Sequence, residues 1–119
     1  MAHTFVIFGA SGDLTSRKLV PALYSLAKSG RLPADFRVVG MSRTPHTDEA
    51  WRELLRETTR NFTGEEAFDE EAWRAFAAGL HYQPGDIGRD DDFAGLAQRL
   101  SRLEGGEQVS RTYYLATAP

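Results

Sequence analysis

Apolar positions along this chain switch repeatedly between two rhythms. From His3 to Phe8 the chain is short, mostly apolar and rich in β-branched and aromatic residues (Phe5-Val6-Ile7-Phe8). That pattern suits a strand buried on both faces of a parallel sheet. The run breaks at Gly9, a second glycine follows at Gly12, and a helical pattern then opens. From about Leu14 to Ser29, the residues Leu19, Leu23, Leu26 and Ala27 stand at i, i+4, i+7 and i+8, one stripe at helical period. Pro21 conflicts locally with that helix, because it lacks an N–H to donate, and is expected to bend the first turns. Gly30 is placed as a left-handed cap, with Pro33 just beyond.

The next elements follow in the same way. Phe36 to Met41 reads as a second strand, and Ser42 to Thr47 as a loop marked by Pro45. A helix over about Asp48 to Phe62 would turn Trp51, Leu54, Leu55, Thr58 and Phe62 inward. Asp48 is expected to cap it, and Asp48–Arg52 and Glu57–Arg60 are spaced as surface ion pairs. A short helix, Asp69 to Ala78, would bury Trp73, Phe76 and Ala77. Leu80 to Pro84 reads as a strand, and Gly85-Asp86-Ile87 as a turn. Asp90-Asp91-Asp92 gives a negative start to a long helix burying Phe93, Leu96, Ala97, Leu100 and Leu103, which Gly105-Gly106 ends. Arg111 to Ala116 is the last strand.

The order β-α-β-α-α-β-α-β predicts an α/β fold: an open, doubly wound, Rossmann-like parallel sheet, partial, with about four strands in the order 3-2-1-4. Winding would then reverse between strands 1 and 4, with Gly9 and Thr117 at their carboxyl ends. Ligands of such sheets bind at that reversal.

The glycine turn carries the clearest chemistry. Strand, tight turn and helix set bare backbone N–H groups and a positive dipole end toward one spot, which suits phosphate. The residues are Gly9-Ala10-Ser11-Gly12-Asp13-Leu14, so the pattern is G-x-x-G-D-L and departs from G-x-G-x-x-G: Ser11 and Leu14 fall at the second and third glycines. No Gly-Lys-Ser/Thr follows at Walker-loop distance. The tip of the second strand reads Gly40-Met41-Ser42-Arg43-Thr44. An acidic residue there would suit the ribose of NAD. Arg43, helped by Ser42 and Thr44, instead suits the 2′-phosphate of NADP, which a guanidinium can bind in a fork.

Composition narrows the remaining classes. The chain has 119 residues, with 14 Lys and Arg against 17 Asp and Glu, a net charge of −3. That length suits one compact unit, and the acidic balance argues against nucleic-acid binding. Without cysteine there is no disulfide, thiolate ligand or Cys nucleophile. No apolar run approaches a bilayer span and no signal-peptide pattern opens the chain, so no membrane association and a cytoplasmic location are expected. His3, His46 and His81 are scattered and make no metal spacing, while Glu65, Glu66, Asp69, Glu70 and Glu71 read as an exposed helix start. Tyr24 and Lys28 match the Tyr-x-x-x-Lys of short-chain reductases, but on the first helix rather than beyond the phosphate turn.

The run from Gly9 to Tyr24, with its Gly-Asp-Leu, Lys-Leu and Pro, closely resembles the first strand–helix turn of glucose-6-phosphate dehydrogenases. The likeness continues in order through Arg31-Leu32-Pro33, Val38 to Arg43, Gly85-Asp86-Ile87 and Tyr114 to Pro119. It implies oxidation of D-glucose 6-phosphate to 6-phosphoglucono-1,5-lactone, with hydride passing to NADP, at the entry to the pentose phosphate pathway. By position it implies that Gly9, Ala10, Ser11, Gly12, Asp13 and Leu14 hold the pyrophosphate and Arg43 the 2′-phosphate. Asp86 and Ile87 would line the adenine side, Ala116 and Thr117 would approach the nicotinamide half, and Lys18 would help attract the anionic substrate. Thr15 stands where many members have alanine, and Ala118 where many have proline.

The family's Arg-Ile-Asp-His-Tyr-Leu-Gly-Lys-Glu stretch, its later general-base histidine and its substrate and dimer domain do not occur here. Residues 1–119 are therefore expected to be the N-terminal part of a dinucleotide-binding domain, with no catalytic residue and no turnover alone. The parent would be a homo-oligomer. The rival reading is a stand-alone, non-catalytic nucleotide-binding module.

Overall fold

The computed structural model describes residues 2–33, 35–86, 88–105 and 109–116. Strands β1 (Ala2–Phe8), β2 (Phe36–Ser42), β3 (Leu80–Pro84) and β4 (Val109–Leu115) form one parallel sheet in the order β3-β2-β1-β4. The helices between them are α1 (Val20–Lys28), α2 (Asp48–Thr63), α3 (Glu70–Ala77) and α4 (Asp90–Glu104). Strand order and type are those expected from the alternation of periods. Among the described residues no helix is long and apolar enough to cross a membrane.

The two faces of the sheet carry separate cores. On one, Ile7, Val38, Leu80 and Tyr82 pack with Val20 and Tyr24 of α1, Trp51 and Leu55 of α2, and Trp73 and Phe76 of α3. On the other, Val6, Phe8, Val39 and Met41 pack with Leu96 and Leu100 of α4. The continuous apolar character of β1 and β2 follows from this double burial. β4 differs: it lies at the sheet edge with Tyr113, Tyr114 and Leu115 exposed, Leu115 at 67%.

Several local expectations are corrected. The first helix is not α-helical from Leu14 onward. Thr15–Leu19 is a π turn, closed by the Val20 N–H donating to the Thr15 carbonyl, and α1 then begins with Pro21 in its first turn. A proline there loses nothing that a helix start would have used, and the misfit is absorbed one turn earlier as a π bulge. Thr47, not Asp48, caps α2, its hydroxyl accepting from the Ala50 N–H at 3.1 Å. The buried ridge of α2 is Trp51, Leu55 and Thr59, so Leu54 and Phe62 stay exposed at 45% and 66%. On α4, Phe93 and Ala97 also face outward, Phe93 at 47% exposure. Glu57–Arg60 does form, at 2.8 Å, whereas Asp48 pairs with Arg99 and Arg52 donates to the Leu80 carbonyl. The last strand starts at Val109, two residues before the expected Arg111. Gly105 caps α4 in the left-handed region, and Gly106 lies outside the described residues.

The opposite end of the sheet is tied by charge. Glu104 is buried, and its carboxylate accepts from Arg111 Nε at 2.9 Å, from Arg111 Nη2, and from Thr4 Oγ1 at 3.1 Å. Arg111 beside it holds the Glu104 carboxyl below its ordinary value, against burial, with Thr4 assisting.

Candidate dinucleotide cleft

The register brings four strand ends together. Phe8 lies beside Met41 and Leu115, and Ser42 beside Pro84. Backbone bonds then carry each strand into its loop. The Gly9 and Ala10 N–H groups donate to the Met41 carbonyl at 2.9 and 3.2 Å, Ala116 N–H to Phe8 at 2.8 Å, and Gly85 N–H to Ser42 at 2.8 Å. Between these loops opens a cleft of about 430 Å³, lined by Phe8 and the glycine turn, by Met41 to Thr44, by Gly85 and Asp86, and by Ala116.

The turn has the shape that the sequence called for. Gly9 takes φ +84°, which residues with a Cβ rarely adopt. Gly12 packs so that a Cβ would stand 3.3 Å from the Gly9 carbonyl and 3.8 Å from that of Ala116. Thr15, fully buried, donates its hydroxyl to the Gly9 carbonyl at 3.2 Å and fixes the bend from below. Trp51 does the same from α2, its indole N–H reaching the Ala10 carbonyl at 3.3 Å.

The amides in the turn divide into two groups. Those of Gly9, Ala10 and Gly12 donate to backbone carbonyls and shape the loop. The first helical bond is Ser16 N–H to Gly12 C=O at 3.2 Å, so the amides of Asp13, Leu14 and Thr15 precede it at the helix start. Thr15 is buried, so with Ser11 the amides of the exposed Asp13 and Leu14 are the groups that can meet an anion.

Beside the turn, Arg43 lines the cleft from an exposed position, and among the described residues no carboxylate pairs with it. The residues on either side of it are held by hydroxyls. Ser42 Oγ lies within hydrogen-bond distance of Ser11 Oγ at 2.9 Å, and Thr44 Oγ1 donates to Ser11 Oγ at 3.2 Å. Tyr82 Oη reaches Ser42 Oγ at 2.5 Å and donates to the Thr44 carbonyl at 2.5 Å. Burial pushes the Tyr82 phenol above its ordinary value, against the Ser42 hydrogen bond, so it stays protonated at neutral pH. Across the cleft, Asp86 Oδ1 accepts from the Gly88 N–H at 2.9 Å, and Asp92 Oδ2 takes the Asp86 N–H at 2.9 Å.

Of the residues singled out in the sequence, Gly9, Ser11, Gly12, Arg43, Asp86 and Ala116 are brought together here. Ala10 is buried beneath the turn, and Asp13 and Leu14 sit exposed at the helix start. Lys18 is exposed on the π turn and does not line the cleft. Ile87 and Thr117 lie outside the described residues. Phe8, Met41 and Gly85 were not foreseen as lining, although the strand ends implied them. Tyr24 and Lys28 are elsewhere: the Tyr24 hydroxyl donates to the Asp69 carbonyl at 3.2 Å and accepts the Asp69 N–H at 2.9 Å, while Lys28 donates to the Ala67 carbonyl at 2.5 Å. Both are occupied in packing α1 against the segment before α3, which removes the short-chain reductase reading. Among the described residues no cluster of His, Asp or Glu could hold a metal ion.

Winding reverses between β1 and β4, and the cleft runs over the carboxyl ends of the strands from the loop after β3 to Ala116 after β4; a chain built in this way has the form of a dinucleotide-binding α/β domain. A family model described as glucose-6-phosphate dehydrogenase, NAD binding domain, matches residues 6–119. The chain belongs to that family. It is 42% identical over 116 residues to a glucose-6-phosphate 1-dehydrogenase of Aggregatibacter actinomycetemcomitans and 37% identical over 116 residues to that of Chlamydia muridarum. Each alignment covers 96% of this chain and 23% of the relative, so the chain spans about a quarter of the length of these relatives. A solved glucose-6-phosphate dehydrogenase in complex with its substrate glucose-6-phosphate superposes with a TM-score of 0.87 at 28% identity, covering 98% of this chain and 24% of that one. The glucose-6-phosphate 1-dehydrogenase of Mycobacterium avium gives 0.83 at 26% identity, over 99% and 24%.

Proposed function

We propose that the cleft holds NADP, with the pyrophosphate against Ser11 and the helix-start amides and the 2′-phosphate on Arg43. The residues suit that ligand. Its volume is that of a small-molecule site, the turn offers neutral N–H donors, and the cation sits one strand over at the tip of β2. The observation that carries the reading is Arg43 in the cleft wall beside the glycine turn, where an NAD site usually presents a carboxylate.

Within the parent enzyme the reaction is oxidation of D-glucose 6-phosphate to 6-phosphoglucono-1,5-lactone, and NADP when bound accepts the hydride. This chain's share is binding and orientation. The titratable side chains that line the described cleft are Arg43 and Asp86, and the Asp86 carboxylate already takes the Gly88 N–H. Neither is placed as a base for a sugar hydroxyl, so proton removal falls to residues beyond this chain. Residues 1–119 are thus the N-terminal part of the coenzyme domain, with the exposed edge at β4 as the place where the sheet continues. Lys18, exposed on the π turn outside the cleft lining, is retained as a residue that attracts the substrate phosphate.

Titration of the chain with NADP and NAD tests the coenzyme assignment. NADP should bind at least about tenfold more tightly, as expected for one charge-assisted fork, and Arg43→Ala should erase the difference. Equal affinities that the substitution leaves unchanged would defeat it.

A further inference from the structure

Tyr82 does not line the cleft, and its side chain is 1% exposed. Its hydroxyl nevertheless reaches both residues that flank Arg43, through the Ser42 side chain and the Thr44 carbonyl, each at 2.5 Å. The residue is itself fixed from three directions. Its N–H donates to Asp48 Oδ1 at 2.7 Å, and its carbonyl accepts from Arg99 Nη1 at 2.6 Å. Arg99 in turn grips Asp48 at 2.7 Å, tying α4 to α2 across the end of β3. Its ring packs on Trp51 at 5.3 Å, and His46, two residues beyond Thr44, stands edge-on to it at 5.3 Å. A phenol anchored this firmly transmits the rigidity of the core to a loop that is otherwise exposed.

We propose that Tyr82 is a positioning residue for recognition of the nucleotide's 2′-phosphate: its hydroxyl clamps Ser42 and Thr44 so that Arg43 is presented to the cleft in one orientation. The inference rests on the NADP reading above. Arg43 is on an exposed loop with many rotamers, and affinity is lost whenever binding must first order such a side chain. Tyr82 removes the backbone part of that disorder before the nucleotide arrives. NAD, which lacks the 2′-phosphate, does not draw on this clamp.

The test is a double-mutant cycle on the chain, reading dissociation constants for NADP and NAD by calorimetry. Tyr82→Phe keeps the ring on Trp51 and deletes only the hydroxyl. It should weaken NADP about five- to tenfold, the scale of one or two buried hydrogen bonds, and leave NAD within about twofold. In the Arg43→Ala background the same substitution should have no further effect on NADP. A Tyr82→Phe chain that weakens both nucleotides equally or neither, or whose loss adds fully to that of Arg43→Ala, overturns the inference while leaving the Arg43 site standing. An Arg43→Ala chain that still prefers NADP overturns the site reading and the Tyr82 inference with it. If Tyr82→Phe does not fold, NMR of the unsubstituted free chain decides: a slowly exchanging Tyr82 hydroxyl proton with Ser42 to Thr44 as ordered as β2 supports the clamp, and a freely exchanging hydroxyl or a loop as mobile as the chain ends overturns it.

Discussion

Gly40 is where fold and site press on each other most closely, and adding one methyl there gives a sharp test. It lies in β2 between Ile7 and Tyr82, under the indole of Trp51. A Cβ built at this position would stand 2.6 Å from the Ala10 Cβ and 2.7 Å from both Cζ2 and Cη2 of Trp51. Carbon atoms at rest sit roughly 3.5–4.0 Å apart, so all three contacts are about 1 Å too close. The indole cannot easily yield, since it is fully buried, bonds the Ala10 carbonyl at 3.3 Å and packs on Tyr82. Ala10 cannot yield without moving the glycine turn. Overpacking of this kind costs about 3 kcal/mol, the upper end of its usual range. Against it, alanine removes conformational freedom from the unfolded chain, which returns roughly 0.5–1 kcal/mol. The net expectation for Gly40→Ala is a loss of about 2 kcal/mol, read as a fall of about 8 °C in the thermal midpoint. Urea titration should show a lower midpoint at unchanged slope. Nucleotide affinity should fall too, because relief of the clash displaces Ala10. Adding Trp51→Phe, which shrinks the ring above Gly40, should make the two losses less than additive. A Gly40→Ala chain as stable as the parent would show that the indole does not press on β2 and that the turn is not braced from α2.

Glu104 provides a pH-dependent case. Because its folded pKa is depressed, its contribution is fully present above the unfolded value of about 4.3 and is lost as pH falls through the lower folded value. Glu104→Gln should cost about 1–2 kcal/mol near neutrality, the partial exposure of Arg111 reducing the effect, and should flatten the fall in denaturation midpoint below pH 5. An unaltered acid profile would refute that origin. Tyr24→Phe should cost about 1–2 kcal/mol, since the Asp69 N–H and carbonyl lose their partner, while nucleotide affinity stays unchanged. A loss of nucleotide binding in that variant, at preserved stability, would revive a functional role for the Tyr24 hydroxyl.

How much of this was legible in the sequence depends on how local each feature is. The Phe5–Phe8 run, the glycine bend and the stripe on the first helix are written in neighbouring residues, so they lead to the sheet order and to the position of the cleft. The side-chain roles that went astray are long-range. Asp48 has the composition of a cap, but Arg99 lies 51 residues away and Tyr82 is 34 away, and these draw its carboxylate inward. Thr47 then inherits the cap. Leu54 and Phe62 fit an apolar stripe as well as Leu55 does, yet the ridge facing the sheet is set by the 51-55-59 row and includes a threonine. The Ser11–Ser42–Thr44–Tyr82 hydroxyl group joins two loops and two strands that have no local signal in common. The alternation of Leu80 and Tyr82 onto one sheet face hinted that Tyr82 points inward, but not what it would hold.

Residue-resolved amide NMR of the chain titrated with NADP asks where the nucleotide sits. The amides of Ser11, Asp13 and Leu14 and the Arg43 side-chain N–H signals should shift together and saturate at one nucleotide per chain, while those of α3 stay still. Saturable binding that leaves Ser11, Asp13, Leu14 and Arg43 unmoved, or that shifts residues on α3 instead, would contradict a dinucleotide seated at the bend after β1.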